Sequence, residues 1–258
     1  MATIGIFDSG EGGLSVLREI VRLLPDEKYI YYSDNAHCPY GDKPADYIIQ
    51  RSKEITSILL QKGADIIVVA CNTATAAAIS TLRQEYSDSA DPAVRERVLS
   101  LTGGKADHVK FIGMEPAVKP AALGTRTGVI GVLATAGTLK GSKYLTTKGN
   151  YEEGCRIVEH VGKGFVELVE RGILKGAVAE SVVRRSIKPL LDEGADRIVL
   201  GCTHYPFLLE TLRKLSADAG HHGVEFIDPA PAVARRLADV LQECGISSED
   251  ENPGTELL

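Results

Sequence analysis

Two cysteines, Cys71 and Cys202, stand in matching surroundings. The stretch Leu59-Leu60-Gln61-Lys62-Gly63-Ala64-Asp65-Ile66-Ile67-Val68-Val69-Ala70-Cys71 returns as Leu190-Leu191-Asp192-Glu193-Gly194-Ala195-Asp196-Arg197-Ile198-Val199-Leu200-Gly201-Cys202. The two leucines, the Gly-Ala-Asp triplet, an Ile-Val pair and the Cys are common to both. In each copy an amphipathic helix ends at Gly, the usual residue just past a helix C-terminus. The short apolar run that follows suits a buried parallel strand. The Cys closes that strand, and Asn72-Thr73 or Thr203-His204 leads on toward the next helix. A thiol there lies at the C-terminal end of a parallel strand, where open α/β sheets bind ligands. It also lies near a helix N-terminus, which favours a thiolate. Cys is among the most buried residue types, so one such Cys is as readily a core residue. Two in matched positions, each followed by polar residues, point to chemistry.

Each thiol has its own proton handler. Asp8 ends the first strand of the first half, and strand ends of one parallel sheet share a side, so Asp8 can serve Cys71 directly or through a ligand. In the second half Ala134 stands where the acid was, but His204 lies two residues after Cys202. A lone His is more often a core or capping residue; beside a strand-end Cys it becomes a candidate acid/base. Three chemistries use a thiol with a base. A cysteine hydrolase leaves the second Cys idle. A redox pair needs sulfurs within bonding reach, for which no motif speaks. Proton transfer on both faces of a carbon needs two bases, and alone uses the duplication.

The elements that must position these groups alternate between strand and helix. Residues 3–7 form a strand that runs into Asp8-Ser9-Gly10-Glu11-Gly12-Gly13 and a helix over 14–24. This layout presents backbone N–H groups to an anion, and the nearby acids favour a ligand carboxylate over a polyphosphate. A strand at 29–33 precedes a polar loop, 34–42, in which Tyr40 sits between Pro39 and Gly41. Residues 47–62 and 74–83 are helical. Residues 87–107 break the rhythm and read as a mobile surface insertion with a helical turn or two near 92–101. Ile130-Gly131-Val132-Leu133-Ala134-Thr135 echoes Ile4-Gly5-Ile6-Phe7-Asp8-Ser9, so a whole α/β unit is duplicated. The tail, 247–258, is polar and acidic and reads as frayed.

The 258 residues suffice for two small α/β domains, and a composition of 44% hydrophobic and 25% charged residues is that of a soluble globular protein. A net charge of −6 without a basic stripe argues against nucleic acid as a partner. The N-terminus does not read as a signal peptide and no apolar run approaches bilayer length, so no membrane role is expected. Five scattered cysteines without a Cys-x-x-Cys suit a reducing cytoplasm and suggest neither a disulfide framework nor a zinc site.

Taken together, Ile4-Gly5-Ile6-Phe7-Asp8-Ser9-Gly10, Pro39-Tyr40-Gly41, Ala70-Cys71-Asn72-Thr73-Ala74-Thr75, Glu115-Pro116-Ala117, Gly131-Val132-Leu133-Ala134-Thr135 and Leu200-Gly201-Cys202-Thr203-His204-Tyr205-Pro206 resemble the glutamate racemases, in order, as far as about Ala232. The resemblance implies an isomerase that interconverts L- and D-glutamate without a cofactor or metal and supplies D-glutamate for peptidoglycan. It implies a homodimer of chains with two pseudo-symmetric three-layer α/β domains, mainly parallel sheets and the active site in the cleft between them. The first domain would be 1–115 with 227–258, the second 116–226. Carried over by residue, Cys71 would deprotonate D-glutamate and Cys202 L-glutamate, with Asp8, His204 and Glu170 assisting. Ser9, Tyr40, Gly41, Asn72, Thr73, Thr135, Thr138 and Thr203, with Asp8 and His204, would bind the substrate; hydroxyls, amides and an acid suit two carboxylates and an ammonium. The family usually carries Cys-Pro-x before Phe-Val, where this chain has Gly162-Lys163-Gly164. The alternatives are an aspartate racemase of the same superfamily and a non-catalytic binding protein on the fold. A malonate-type decarboxylase needs only one Cys.

Overall fold

The computed structural model describes residues 2–245 and 254–258. In chain order, β1 (Thr3–Asp8) is followed by α1 (Leu14–Leu23), β2 (Lys28–Ser33), α2 (Ala45–Gln61), β3 (Ile66–Val69), α3 (Asn72–Tyr86), α4 (Pro92–Thr102) and β4 (Lys110–Gly113). Next come α5 (Val118–Gly124), β5 (Val129–Ala134), α6 (Ala136–Leu139), α7 (Ser142–Gly149), β6 (Arg156–Val161) and α8 (Phe165–Glu170). The chain continues with α9 (Ala177–Asp192), β7 (Arg197–Gly201), α10 (Leu209–Asp218), β8 (Glu225–Ile227), α11 (Ala230–Glu243) and β9 (Thr255–Leu257). Two compact units result: Met1–Met114 with Ala230–Leu258, and Glu115–Pro229.

Every strand pairing in both sheets is parallel. The first unit has the order β4-β3-β1-β2-β9 and the second β6-β5-β7-β8. With β9 set aside, the first order read backwards, β2-β1-β3-β4, matches the second strand for strand. The duplication seen in the residues is therefore a duplication of topology, with β1 equivalent to β5 and β3 to β7. In both sheets the connections leave the first strand in opposite directions, which opens a crevice at the C-terminal ends of β1 and β3, or β5 and β7. Asp8 ends β1 and Cys71 follows β3; Ala134 ends β5 and Cys202 follows β7.

Strands β1 to β4 of the first unit are covered on both faces, and the period of two sorts their side chains. Phe7, Ile30, Ile67, Val69 and Phe111 face one way, onto Ile55 and Leu59 of α2, Ala78 and Leu82 of α3 and Val98 of α4. Ile4, Ile6, Tyr29, Tyr31, Ile66, Val68 and Ile112 face the other way, onto Val16 and Ile20 of α1 and Val233, Leu237 and Leu241 of α11. Three layers follow directly from this alternation. In the second unit Ile130, Val132 and Val199 pack with Val118 of α5 and Tyr144 of α7.

The Gly-Ala-Asp triplets do the same work twice. Gly63 and Gly194 carry left-handed φ values of 92° and 85°. In the first copy the Gly63 and Ala64 amides donate to the carbonyls of Leu60 and Leu59; in the second, Gly194 and Ala195 donate to Leu191 and Leu190. This is the Schellman pattern that closes a helix. The Asp then clasps the start of the neighbouring strand. Asp65 accepts from the Thr3 amide at 2.7 Å. Asp196 accepts from the amides of Arg126 at 2.6 Å and Thr127 at 3.2 Å and from the Thr125 hydroxyl. Burial pushes the Asp196 carboxyl up, but these donated hydrogen bonds outweigh it and hold the group below the usual range. A depressed carboxyl contributes stability that is complete above the unfolded value and is lost as pH falls through the folded one. Asp196→Asn is therefore expected to destabilise the protein by about 1–3 kcal/mol near neutral pH. The gap in thermal midpoint from wild type should shrink below about pH 4. A gap that stays constant to low pH would show that charge is not what holds the clasp.

Residues 87–107 differ from the mobile insertion expected of them. They contain α4, capped by Asp91 onto the Ala93 amide, opened by Pro92 and closed by Gly103 in the left-handed region. Val94 and Val98 are buried against α2 and α3. Most of the stretch is polar because only one narrow face of the helix meets the core. The tail differs in part. Residues 247–253 lie outside the described residues, but Thr255–Leu257 form β9 in parallel register on β2, Tyr29 opposite Thr255 and Tyr31 opposite Leu257. Among the described residues no helix is long and apolar enough to cross a membrane.

Candidate active site

In the first unit Asp8 is fully buried at the end of β1. Its Oδ2 accepts from the Gly13 amide at 2.8 Å, so the glycine-rich turn closes on the acid. Gly13 has no room for a side chain: an added Cβ would lie 2.6 Å from both the Asp8 Cβ and the Tyr31 hydroxyl. Tyr31 in turn donates to the Gly10 carbonyl at 3.1 Å. Cys71 is the N-cap of α3, and its Sγ accepts from the Ala74 amide at 3.4 Å. The Ser9 hydroxyl lies 3.7 Å from the sulfur. The Ala74 amide and the helix dipole thus converge on Sγ and stabilise negative charge there. Asn72 is buried, yet neither its Oδ1 nor its Nδ2 has a partner among the described residues. A buried polar group left unmet costs about 1–3 kcal/mol, which a polar ligand would return. Thr73 is buried beside it.

Tyr40 is buried, and its hydroxyl donates to Asp34, a residue the sequence reading did not single out. Asp34 also accepts from Arg51 Nη2 at 2.7 Å and Nε at 3.2 Å, and faces His37 Nδ1 at 2.8 Å. Burial raises the Asp34 carboxyl, but the hydrogen bonds from Arg51, Tyr40 and His37 prevail and leave it below its usual range. Burial, with the hydrogen bond to Asp34 and its charge, drives the Tyr40 phenol far above its ordinary value, so it stays protonated. Gly41 follows at the half-exposed surface, and the Cys38–Pro39 peptide is cis.

In the second unit Cys202 and His204 are buried, with Sγ 3.8 Å from Nδ1. On the other side of the ring, Nε2 lies 2.6 Å from Glu170 Oε1. The chain places Glu170 by packing. Phe165 at the start of α8 meets the Tyr205 ring edge-on, with centroids 4.9 Å apart. The Tyr205 hydroxyl donates to the Gly162 carbonyl. An added Cβ on Gly162 would lie 2.5 Å from that hydroxyl. Gly162, one of the residues that depart from the family pattern, is what admits Tyr205. A thiol, an imidazole and a carboxylate in line can pass a proton and share the charge. Thr135 caps α6, its Oγ1 accepting from the Thr138 amide at 3.2 Å and lying 3.0 Å from the Thr138 hydroxyl. Thr203 is buried between Cys202 and His204.

The two thiols are not equivalent in their backbones. Cys71 caps an α-helix. Cys202 is followed by a turn and a 3-10 segment, Tyr205–Leu208, before α10 begins, so the helix N-terminus expected there is displaced. Pro206 and the Thr203-His204-Tyr205 residues before it spell this difference: one thiol is served by a helix-end amide, the other by an imidazole. Asp34 and Arg51 are the residues that sequence reasoning missed. The acid just past a strand end was a usable signal; its partner seventeen positions on was not. Cys155 is a core thiol: burial pushes it up, and it donates to the Tyr151 carbonyl.

Residues 105–237 match the sequence model of the Asp/Glu/Hydantoin racemase family. The glutamate racemase of Ectopseudomonas mendocina is 45% identical over 240 residues, covering 93% of this chain and 82% of its own. The solved glutamate racemase isoform RacE1 of Bacillus anthracis superposes with a TM-score of 0.81 at 30% identity, covering 99% of this chain and 87% of that one. The Escherichia coli glutamate racemase, solved with L-glutamate and the activator UDP-MurNAc-ala, gives 0.78 at 33% identity over 98% and 88%. With its two strand-end thiols, its duplicated sheets and relatives this similar over nearly its whole length, the chain belongs to the glutamate racemases.

Proposed function

We infer that the protein racemises glutamate by two-base proton transfer, with Cys71 and Cys202 addressing opposite faces of one α-carbon. The observation that carries this is the pair of thiols at equivalent strand ends, each with a different proton partner. From D-glutamate, the Cys71 thiolate takes the α-proton while the Cys202 thiol gives one to the opposite face. The roles exchange from L-glutamate, so each turnover leaves the proton on the other sulfur. Asp8 accepts the substrate ammonium or moves a proton for the Cys71 side; His204, backed by Glu170, does so for Cys202. Asn72, Thr73, Thr203, Ser9, Thr135 and Thr138 offer an amide, hydroxyls and backbone N–H groups to the two carboxylates, with Tyr40 and Gly41 forming the wall from the β2–α2 loop. The thiols supply the proton transfer, so no cofactor or metal is required by this reading.

The domains of this enzyme would be 1–115 with 227–258, and 116–226. It would act in the cytoplasm as a homodimer, without nucleic acid, and its D-glutamate would serve peptidoglycan synthesis. Circular dichroism of the purified, reduced protein with each enantiomer, without pyridoxal phosphate, tests the activity. The signal of L- and of D-glutamate should both decay to zero. Decay with aspartate alone would change the substrate and keep the chemistry. Silence with both amino acids would remove the racemase reading.

A further inference from the structure

We propose that Arg51 is a positioning residue for the Cys71 half of the site: its pairing with Asp34 holds the Tyr40 hydroxyl on that carboxylate and cancels a buried negative charge in the cluster that reaches the thiol through Tyr40. The proposal rests on the reading of Cys71 as an acid/base thiol. Its basis is the cluster at the C-terminal end of β2. Asp34 is only 3% exposed, and its backbone amide donates to the carbonyl of Asp8 at 3.0 Å. The backbone of Asp34 therefore leaves β2 beside the end of β1, at the C-terminal edge of the sheet where the candidate acid stands. Tyr40 lies within electrostatic reach of Cys71 and packs in the same core cluster.

A carboxylate with so little water must be paired, or it destabilises every anion near it. Arg51 meets it with a fork, Nε on Oδ2 and Nη2 on Oδ1, and is itself mostly buried. The fork fixes the carboxylate plane, and the plane fixes where the Tyr40 proton goes. That proton is then committed to Asp34, so the phenol does not compete for the thiolate as a donor. Among the described residues, the titratable groups acting on Asp34 and Tyr40 are each other, His37 of the β2–α2 loop, Arg51 of α2 and Cys71 itself; Arg51 also meets Glu54 of α2 and Tyr32 of β2, whereas Lys43 of the loop and Lys53 of α2 face Tyr47 and Glu85. Arg51 is the permanent cation that bonds Asp34, and it also binds the more exposed Glu54.

The test is the pH dependence of Cys71 alkylation by iodoacetamide, resolved by mass spectrometry. It is applied to wild type, Arg51→Gln, Arg51→Lys and the double variant Asp34→Asn/Arg51→Gln. Between pH 7 and 10 Asp34 remains ionised in Arg51→Gln, because Tyr40 and His37 still face it. The Cys71 midpoint should rise by about one pH unit, leaving about tenfold less thiolate at neutral pH. Arg51→Lys keeps the charge without the fork and should hold the midpoint near wild type. The double variant should restore it, since both charges are gone. The Cys202 midpoint should be the same in all four. A Cys71 midpoint unmoved in folded Arg51→Gln, or moved equally in the double variant, overturns the proposal and leaves Arg51 a clamp for stability alone. The readout needs no turnover, so failure of the racemase reading would be seen separately, in the wild-type assay.

Discussion

Cys71→Ala and Cys202→Ala are each expected to reduce racemisation by about 10³-fold or more, in both directions. The size follows from what is removed. A positioned acid/base contributes about 10²–10⁴-fold to a proton transfer, and inversion has no alternative donor on the vacated face. In the two-base reading the directions fall together, because each thiol would be base for one enantiomer and acid for the other. The two variants should nevertheless differ in D₂O. Cys202→Ala keeps Cys71 and should slowly wash deuterium into the α-position of D-glutamate without inverting it. Cys71→Ala should do so with L-glutamate. Proton NMR separates these outcomes. A folded single variant that still racemises would sink the two-base mechanism, because one thiol would then be enough.

His204→Asn should lower kcat by about 10²-fold, with a smaller change in KM. The imidazole stands between Cys202 Sγ at 3.8 Å and Glu170 Oε1 at 2.6 Å, so its two nitrogens have different tasks. Glu170, when ionised, accepts a hydrogen bond from Nε2–H, which keeps the proton on Nε2 and leaves the Nδ1 lone pair facing the sulfur. That tautomer is the one able to accept the thiol proton. Asn offers a single polar end and cannot serve both sides. Glu170→Gln retains a hydrogen bond but not the charge that favours imidazolium, so a loss of about tenfold is expected. Its kcat–pH profile should also move, because the partner of the ring no longer carries a charge. Equal kcat in wild type and folded His204→Asn would assign the histidine to packing.

Much of this was legible in the residues because it is local or repeated. The Leu-Leu…Gly-Ala-Asp…Cys pattern spells a helix end, a strand and a strand end, and its recurrence announced two equivalent sheets. Glu170 was marked by the family resemblance although 34 positions separate it from His204. What stayed hidden depends on packing. The helix at Pro92–Thr102 carries a capping Asp91, an opening Pro92 and a closing Gly103, all readable, but of its apolar residues Val94 and Val98 alone are fully buried in the core, with Leu101 partly buried against it. Two buried valines in a polar stretch give too weak a period to distinguish a docked helix from a solvated one. The Arg51–Asp34–Tyr40 cluster joins a helix to a loop through side chains alone, and nothing in the spacing announces it. Cys202 shows the opposite lesson: a strict repeat in the residues ended in different backbones once Pro206 entered.

The short strand β9 gives the first sheet a protection that the second obtains by other means. Without it, β2 would present unpaired amides and carbonyls to solvent, a template on which another molecule's strand could grow. Gly254 and Leu258 instead accept from the amides of Tyr29 and Ser33, and the Leu258 amide donates to the Tyr31 carbonyl. The equivalent strand of the other half, β6, has no such cover among the described residues. It carries Arg156, Glu159 and His160 instead, charged or ionisable groups of the kind that discourage sheet-to-sheet growth. One duplicated architecture thus guards itself against aggregation twice: by lending a strand to one half, and by charging the border of the other.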